Sequence, residues 1–339
     1  MSPSVQQRPQ VLLADKITLA QSVYEELKEQ VDFIPLASSS REEFISDCKT
    51  KYQDAQALYR HFNRDSNKIL GKYDDELLSA LPEGLQFIAS NGAGYDAIDV
   101  TAATSRRIQV ANVPTVVDAP TADTALFLLL GALRQFGRAQ QNLRDGKWHA
   151  GLGLSNDPAG KVLGIVGMGG IGRAFAHRAR SLGMSIIYHN RNQLSRELED
   201  GATYVSSLDE LLTTADVVSL NLPLNAKTKH TMGAEQFKRM KKSAVLINTA
   251  RGGVVNEQAL VDALEQGEIA GCGLDVYEVE PNGVHEGLLK SEKAFLLPHV
   301  GTLTVETQRE MEAVCLRNIV HGLETGKLSF TVPEQKGVF

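Results

Sequence analysis

Apolar and polar positions follow a repeating rhythm along the 339-residue chain. Short apolar runs at 11–14, 31–34, 55–59, 85–89 and 108–111 are separated by helical spacing at 17–28, 41–48 and 74–80. Apolar strands interleaved with helices predict a parallel sheet covered on both faces. After a break at Asn112-Val113-Pro114, residues 121–134 read as a long apolar helix with Asp118 or Thr121 near its N-cap. That helix is too apolar for a surface helix and is expected to pack between domains or against a second subunit. A second series of apolar runs follows at Val162–Val166, 185–188, Val217–Leu220, 244–248, 271–276 and 295–297, with helical spacing between them, as at 256–266. A last helix, 305–323, has no place in that second series and is expected to cross back onto the first.

Composition narrows the class. Hydrophobic residues make up 42% and charged residues 22%, as in ordinary globular proteins. The net charge of −6 argues against nucleic acid or an anionic membrane as the main partner, so an anionic ligand needs a local cationic site. Cys48, Cys272 and Cys315 are far apart and lack C-x-x-C spacing, which predicts buried, reduced thiols and no zinc site. No apolar run reaches the ~18 residues of a membrane span, and Met1 to Gln10 has no apolar signal core, so a cytoplasmic location is expected. No metal is expected.

The apolar run Val162–Val166 feeds directly into Gly167-Met168-Gly169-Gly170-Ile171-Gly172, and a helical pattern follows. This is the strand–turn–helix setting of the dinucleotide-binding fingerprint. Gly167 allows the tight turn, Gly169 allows close approach of a pyrophosphate, and Gly172 allows helix and strand to pack closely. The phosphates would meet free N–H groups at a helix N-terminus. The predicted fold is therefore α/β, with two doubly wound parallel-sheet domains. A Rossmann nucleotide domain, 113–301, is inserted into a discontinuous flavodoxin-like substrate domain made of 1–112 and 302–339. Substrate and cofactor are expected to meet in a cleft between them.

Three later segments carry chemistry: Asn248-Thr249-Ala250-Arg251-Gly252-Gly253, Gly273-Leu274-Asp275-Val276-Tyr277-Glu278-Val279-Glu280-Pro281, and Leu297-Pro298-His299-Val300-Gly301-Thr302. Together with Asn91-Gly92-Ala93-Gly94-Tyr95-Asp96 and Leu222-Pro223-Leu224, they closely resemble the D-isomer-specific 2-hydroxyacid dehydrogenases, over nearly the whole chain. That family reduces 2-oxo acids to D-2-hydroxy acids with NADH or NADPH. The wording at 91–96 and the ending Gly337-Val338-Phe339 look like its fungal branch, which contains glyoxylate or hydroxypyruvate reductases and D-mandelate dehydrogenases.

Reduction of a 2-oxo acid requires a held carboxylate, a polarised carbonyl and a proton for the forming alkoxide. Arg251, at the carboxyl end of a strand, suits the first two, because a guanidinium binds a carboxylate bidentately. His299 suits the proton donor, because imidazole titrates near neutral pH. A carboxylate on one ring nitrogen would fix its tautomer and stabilise imidazolium. Glu278 and Glu280 both lie near enough in sequence. The resemblance selects Glu280, which directly precedes a proline, and leaves Glu278 as a solvated turn residue. Asp275 matches a family position near the nicotinamide, or else bonds local backbone at a strand end. Ala93 and Gly94 are expected to offer backbone N–H groups to the substrate carboxylate. Tyr59, Arg60, His61 and Phe62 are placed on the substrate side, with Tyr59 as a binding residue.

The acid that usually binds the ribose 2′-OH is replaced by Asn190, followed by Arg191 and Asn192. A neutral side chain beside an arginine points to NADPH. The competing reading keeps Asn190 on a ribose hydroxyl with Arg191 on the adenine or in solvent. The resemblance adds Thr121, Leu222, Pro223, Thr249, Ala250 and Gly301 as cofactor contacts, and implies a homodimer. Two other functions share the fold, a cofactor-sensing corepressor-like binding protein and a formate dehydrogenase. The pair Glu280 and His299 argues against the second.

Overall fold

The computed structural model describes residues 8–61 and 66–339. The chain divides into two compact units, Met1–Val117 with Thr304–Phe339, and Asp118–Leu303. The switches fall five residues after the first sequence boundary and two after the second.

The first unit holds a five-stranded parallel sheet: β1 (Gln10–Leu13), β2 (Asp32–Pro35), β3 (Ala55–His61), β4 (Phe87–Asn91) and β5 (Gln109–Ala111), in the order β2-β1-β3-β4-β5. This is the flavodoxin-like order. Two apolar layers cover it. One places Leu12, Leu58, Ile88 and Val110 against Phe44, Leu77 and Ala103. The other places Val11, Tyr59 and Phe87 against Leu316 and Ile319 of the helix Val305–Thr325. The last helix therefore lies on the first sheet, against β3 and β4. Thr304 caps it by accepting the Thr307 N–H. Its Glu312, fully buried, reaches the helix Gln21–Leu27 and accepts N–H bonds from Thr18, Leu19 and Ala20 at that helix's start. A carboxylate there meets both the open N–H groups and the positive end of the helix dipole.

The second unit holds seven parallel strands: β6 (Val162–Val166), β7 (Ser185–His189), β8 (Thr203–Tyr204), β9 (Val217–Leu220), β10 (Val245–Asn248), β11 (Gly271–Leu274) and β12 (Ala294–Leu296), in the order β12-β11-β10-β9-β6-β7-β8. The order reverses between β6 and β9, and ligands of open α/β sheets bind in the crevice at such a point. The two-residue β8 is too short to leave a pattern in the sequence. The apolar helix, Asp118–Arg134, starts at Asp118, so Thr121 is buried inside its first turn. Ala122, Ala125, Leu128, Leu129 and Leu133 pack within their own unit, against Phe175 and Ile247, while Asp123 and Phe127 face outward. The helix is apolar because it covers both the sheet and the helix Gly170–Ser181.

Candidate active site

The three glycines of the β6 turn occupy three different environments. Gly167 has φ 97, a left-handed conformation, and a Cβ there would meet the Asn221 carbonyl oxygen at 2.7 Å. Gly172 sits against the same turn, where a Cβ would lie 2.6 Å from the Gly167 carbonyl and 3.1 Å from an Ile165 methyl. Gly169, at the N-cap of the helix Gly170–Ser181, has open space where a Cβ would stand, with nothing within 4 Å. Tight turn, open seat and close packing thus follow in the order that a pyrophosphate requires. Met168 is buried, Gly170 packs on the Asp118 carboxylate, and Ile171 is half-buried beside them.

The end of β7 is tied to this turn. Gly167 N–H donates to the His189 carbonyl at 3.0 Å, and Met168 N–H donates to Asn190 Oδ1 at 2.7 Å. Asn190 therefore spends its acceptor on the glycine turn. Arg191 and Asn192 follow it, both exposed. Across the switch point, the buried Asn221 Oδ1 and the buried Thr249 Oγ1 have no hydrogen-bond partner. A buried polar atom without a partner costs about 1–3 kcal/mol. These two atoms lie at the carboxyl ends of β9 and β10, on the edge that carries the glycine turn. Open seat, free helix N-terminus and unpaired polar atoms fit a dinucleotide. Sequence reasoning named Thr249, Leu222 and Pro223 but missed Asn221. The signal was available, as a polar residue directly after an apolar strand.

Arg251 is set by its neighbours. The buried Asn248 side chain accepts the Ala250 N–H at 3.0 Å and donates to the Arg251 carbonyl at 3.0 Å, closing a loop at the end of β10. Gly252 then packs backbone to backbone on Tyr277, where any Cβ would collide with the Tyr277 carbonyl carbon. The Arg251 loop and the Glu280 loop are thereby in direct contact.

His299 Nδ1 and Glu280 Oε2 lie 2.6 Å apart. The other Glu280 oxygen accepts the Tyr277 N–H at 2.7 Å. Burial acts to raise the Glu280 carboxyl, but the bond and charge of His299, the Tyr277 N–H and the Arg251 charge together hold it below the usual range. Its ionised form thus stands beside the imidazole, with Arg251 near enough to act on it electrostatically.

His299 has φ 55, a left-handed conformation that costs a non-glycine residue about 1–3 kcal/mol. Asp275 holds it there. Its buried carboxylate accepts the Val300 N–H at 2.8 Å and the Gly301 N–H at 2.9 Å. Two bonds to a charged group, about 1.5–3 kcal/mol each, outweigh that strain. Asp275 thus bonds local backbone at the end of its strand. Burial raises its carboxyl, opposed by these two N–H groups and by His299. Gly301 sits 3.1 Å, by its ideal Cβ, from Asp275 and close to Thr121.

Two expectations need correction. Tyr59 is fully buried inside the first unit, its hydroxyl accepting from Asn91 Nδ2 at 2.8 Å, so it supports the Asn91 turn and does not line a pocket. Arg60 and His61 are buried as well. Arg60 bonds Ser90 and Asn67 and lies over the Tyr73 ring, and His61 meets Gln308. Strand-end position alone did not reveal that this end of β3 is covered. Phe62 lies outside the described residues. Glu278 is an exposed turn residue, as expected, and its carboxylate pairs with His230. Ala93 and Gly94 are half-buried in a turn fixed by Val113 N–H on the Gly92 carbonyl and Asn112 on the Ala93 carbonyl.

A parallel sheet with a glycine-rich phosphate turn and a His–Glu pair at its carboxyl edge defines a dinucleotide-dependent enzyme fold. Residues 126–301 match the NAD binding domain of the D-isomer specific 2-hydroxyacid dehydrogenases. The chain is 49% identical over 332 residues, 98% of its own length and 100% of the relative's, to 4-methyl-2-oxopentanoate reductase A of Aspergillus oryzae. A crystal structure of a glyoxylate reductase from Paecilomyes thermophila superposes with a TM-score of 0.93 at 50% identity, covering 97% of this chain and 100% of that one. The NADPH-dependent glyoxylate/hydroxypyruvate reductase of Sinorhizobium meliloti, solved with NADP and malonate, superposes at 0.84 with 34% identity, covering 97% and 98%. The chain belongs to the D-isomer specific 2-hydroxyacid dehydrogenases. It is an oxidoreductase with an NAD-binding domain.

Proposed function

We propose that the protein reduces a small 2-oxo acid to the D-2-hydroxy acid, with NADPH preferred over NADH. The observation that carries this reading is the His299–Glu280 pair, held beside Arg251 on the sheet edge that bears the open Gly169 seat. A bound nicotinamide cofactor supplies the hydride. Arg251 holds the substrate carboxylate and polarises the carbonyl, and the Ala93 and Gly94 N–H groups assist at the carboxylate. His299, its Nδ1 engaged by Glu280, delivers a proton from Nε2 to the forming alkoxide. Glu280 stabilises the imidazolium before transfer, and Asp275 keeps the His299 backbone in place.

The cofactor preference rests on the end of β7. It presents no carboxylate to repel a 2′-phosphate, Asn190 is occupied by the glycine turn, and Arg191 is exposed beside it. The NADP-bound relative supports the same choice. Thr121, Leu222, Pro223, Thr249, Ala250 and Gly301 are assigned to the cofactor along the same edge, with Asn221 added. Glyoxylate, hydroxypyruvate, 4-methyl-2-oxopentanoate and phenylglyoxylate share the carboxylate–carbonyl unit that Arg251 requires. We assign the enzyme to the cytosol, where its buried thiols Cys48, Cys272 and Cys315 stay reduced. A homodimer is assigned on the family resemblance and on the apolar helix Asp118–Arg134, whose Phe127 faces outward.

The test is kcat/KM for NADPH and NADH with each acceptor, and the configuration of the product. D-hydroxy acid formed faster with NADPH supports the reading. L-product or no turnover with any acceptor overturns it, the latter in favour of a cofactor-sensing binding protein. His299→Ala is expected to lose most turnover while keeping cofactor affinity. Arg191→Ala is expected to raise KM for NADPH far more than for NADH, and equal effects would remove its role.

A further inference from the structure

The second unit contains another His–Glu pair, behind the first. His230 lies in the segment that follows β9, with φ 52. Its backbone N–H donates to the Gly253 carbonyl at 2.9 Å, two residues past Arg251. Its ring Nε2 meets Glu278 Oε1, two residues before Glu280. One residue therefore grips both loops that carry the proposed chemistry, one by its backbone and the other by its side chain. The grip continues into the fold. Glu278 N–H donates to Glu257 Oε1 at 2.7 Å, and Glu278 Oε2 accepts the Glu257 N–H at 3.3 Å. Glu257 is buried at the first turn of the helix Glu257–Gln266, so that helix serves as the fixed post.

Gly252 on Tyr277 adds a direct backbone contact between the two loops. His230 adds one hydrogen bond to each loop, and so ties the Gly253 carbonyl to the Glu278 carboxylate through a single residue. The His230 side chain is 36% exposed, too wet for its ion pair to supply a large share of stability.

We propose that His230 and Glu278 form a positioning pair that sets Arg251 relative to the Glu280–His299 pair, without touching substrate. This rests on the assignment of Arg251, Glu280 and His299 to the reaction. Arg251 must face the carboxylate and carbonyl while His299 faces the same carbonyl oxygen. A misplacement of about 1 Å between such groups costs up to about 100-fold. Loss of one of two restraints on a packed loop is expected to cost about 10-fold in kcat.

The experiment compares wild type, His230→Ala, His230→Gln, Glu278→Gln and the double variant His230→Ala/Glu278→Ala, with His299→Ala alongside. Each is measured for kcat and KM with glyoxylate, for NADPH affinity by cofactor fluorescence, and for Tm. Expected are a kcat about 10-fold lower in His230→Ala, NADPH affinity within about twofold of wild type, and a double variant no worse than the single one. His230→Gln, which keeps an N–H near the Nε2 position, is expected to recover most of the rate. A rate within about twofold of wild type in folded His230→Ala, while His299→Ala is inactive, overturns the proposal. So does a double variant whose losses multiply. Should His299→Ala stay active, the assignment of the chemistry falls instead. If His230→Ala does not fold, Glu278→Gln carries the test. A several-fold loss of kcat at unchanged Tm supports the pair, and an unchanged kcat overturns it.

Discussion

Replacing Gly169 and Gly172 by alanine, one at a time, separates binding from folding within four residues. At Gly172 the new methyl would lie 2.6 Å from the Gly167 carbonyl oxygen and 3.1 Å from Ile165. Neither neighbour can retreat, since the carbonyl belongs to the glycine turn and Ile165 is fully buried in β6. Overpacking of this kind costs about 1–3 kcal/mol, only partly offset by the better helix propensity of alanine, about 1 kcal/mol. For a unit of this size each kcal/mol moves Tm by about 2–4 °C, so a fall of several degrees is expected. At Gly169 the backbone has φ −80, acceptable to any L-residue, and the methyl meets nothing within 4 Å. The loss of stability is then limited to the N-cap preference, about 1 kcal/mol or less. The methyl instead occupies the seat assigned to the pyrophosphate. Loss of about 1.4–3 kcal/mol there weakens NADPH binding by roughly 10–100-fold. Fluorescence titration with NADPH and thermal unfolding without it read the two effects separately. Gly169→Ala that binds NADPH with wild-type affinity would refute the seat. So would a Gly172→Ala variant that is as stable as wild type, since the packing argument shares the same geometry.

Three further outcomes follow from the same contacts. Glu312→Ala strands the N–H groups of Thr18, Leu19 and Ala20, so denaturant unfolding is expected to show a loss of at least about 3 kcal/mol, and a loss under about 1 would contradict the capping role. Asp275→Asn offers one good acceptor where two N–H groups wait, so kcat is expected to fall about 10-fold as the His299 loop loosens, and an unchanged kcat would remove its holding role. Glu280 is held below the ordinary carboxylate range, so its pairing with His299 is present above the unfolded value, about 4.3, and is lost only as pH falls through the lower folded value. The acid limb of kcat/KM due to this carboxylate is therefore expected below the ordinary carboxylate value, and one above that value that disappears in Glu280→Gln would refute the depressed value.

Much of the site was legible because its parts are local. Gly167, Gly169 and Gly172 lie on one turn, and their spacing states what each must do. Arg251, Glu280 and His299 each follow an apolar run that becomes a strand, and in a parallel sheet all such ends share one edge. Other features were hidden because they depend on what lies across a strand end. Tyr59 and Arg60 resemble lining residues in sequence, yet neighbouring strands and the final helix cover them. Glu278 reads as a solvated turn residue, and nothing in the sequence shows that His230, 48 positions away, is brought to it.

The sequence by itself determined the strand and helix rhythm, the nucleotide turn and the chemistry available at each strand end, because these depend on residues a few positions apart. The tertiary structure decided which of those groups meet. It put Glu312 on the start of another helix, Asp275 under the left-handed His299, and His230 across two loops. These pairings join residues 23 to 294 positions apart. Only the assembled sheets and their packed helices fix such distances, and no periodicity along the chain encodes them.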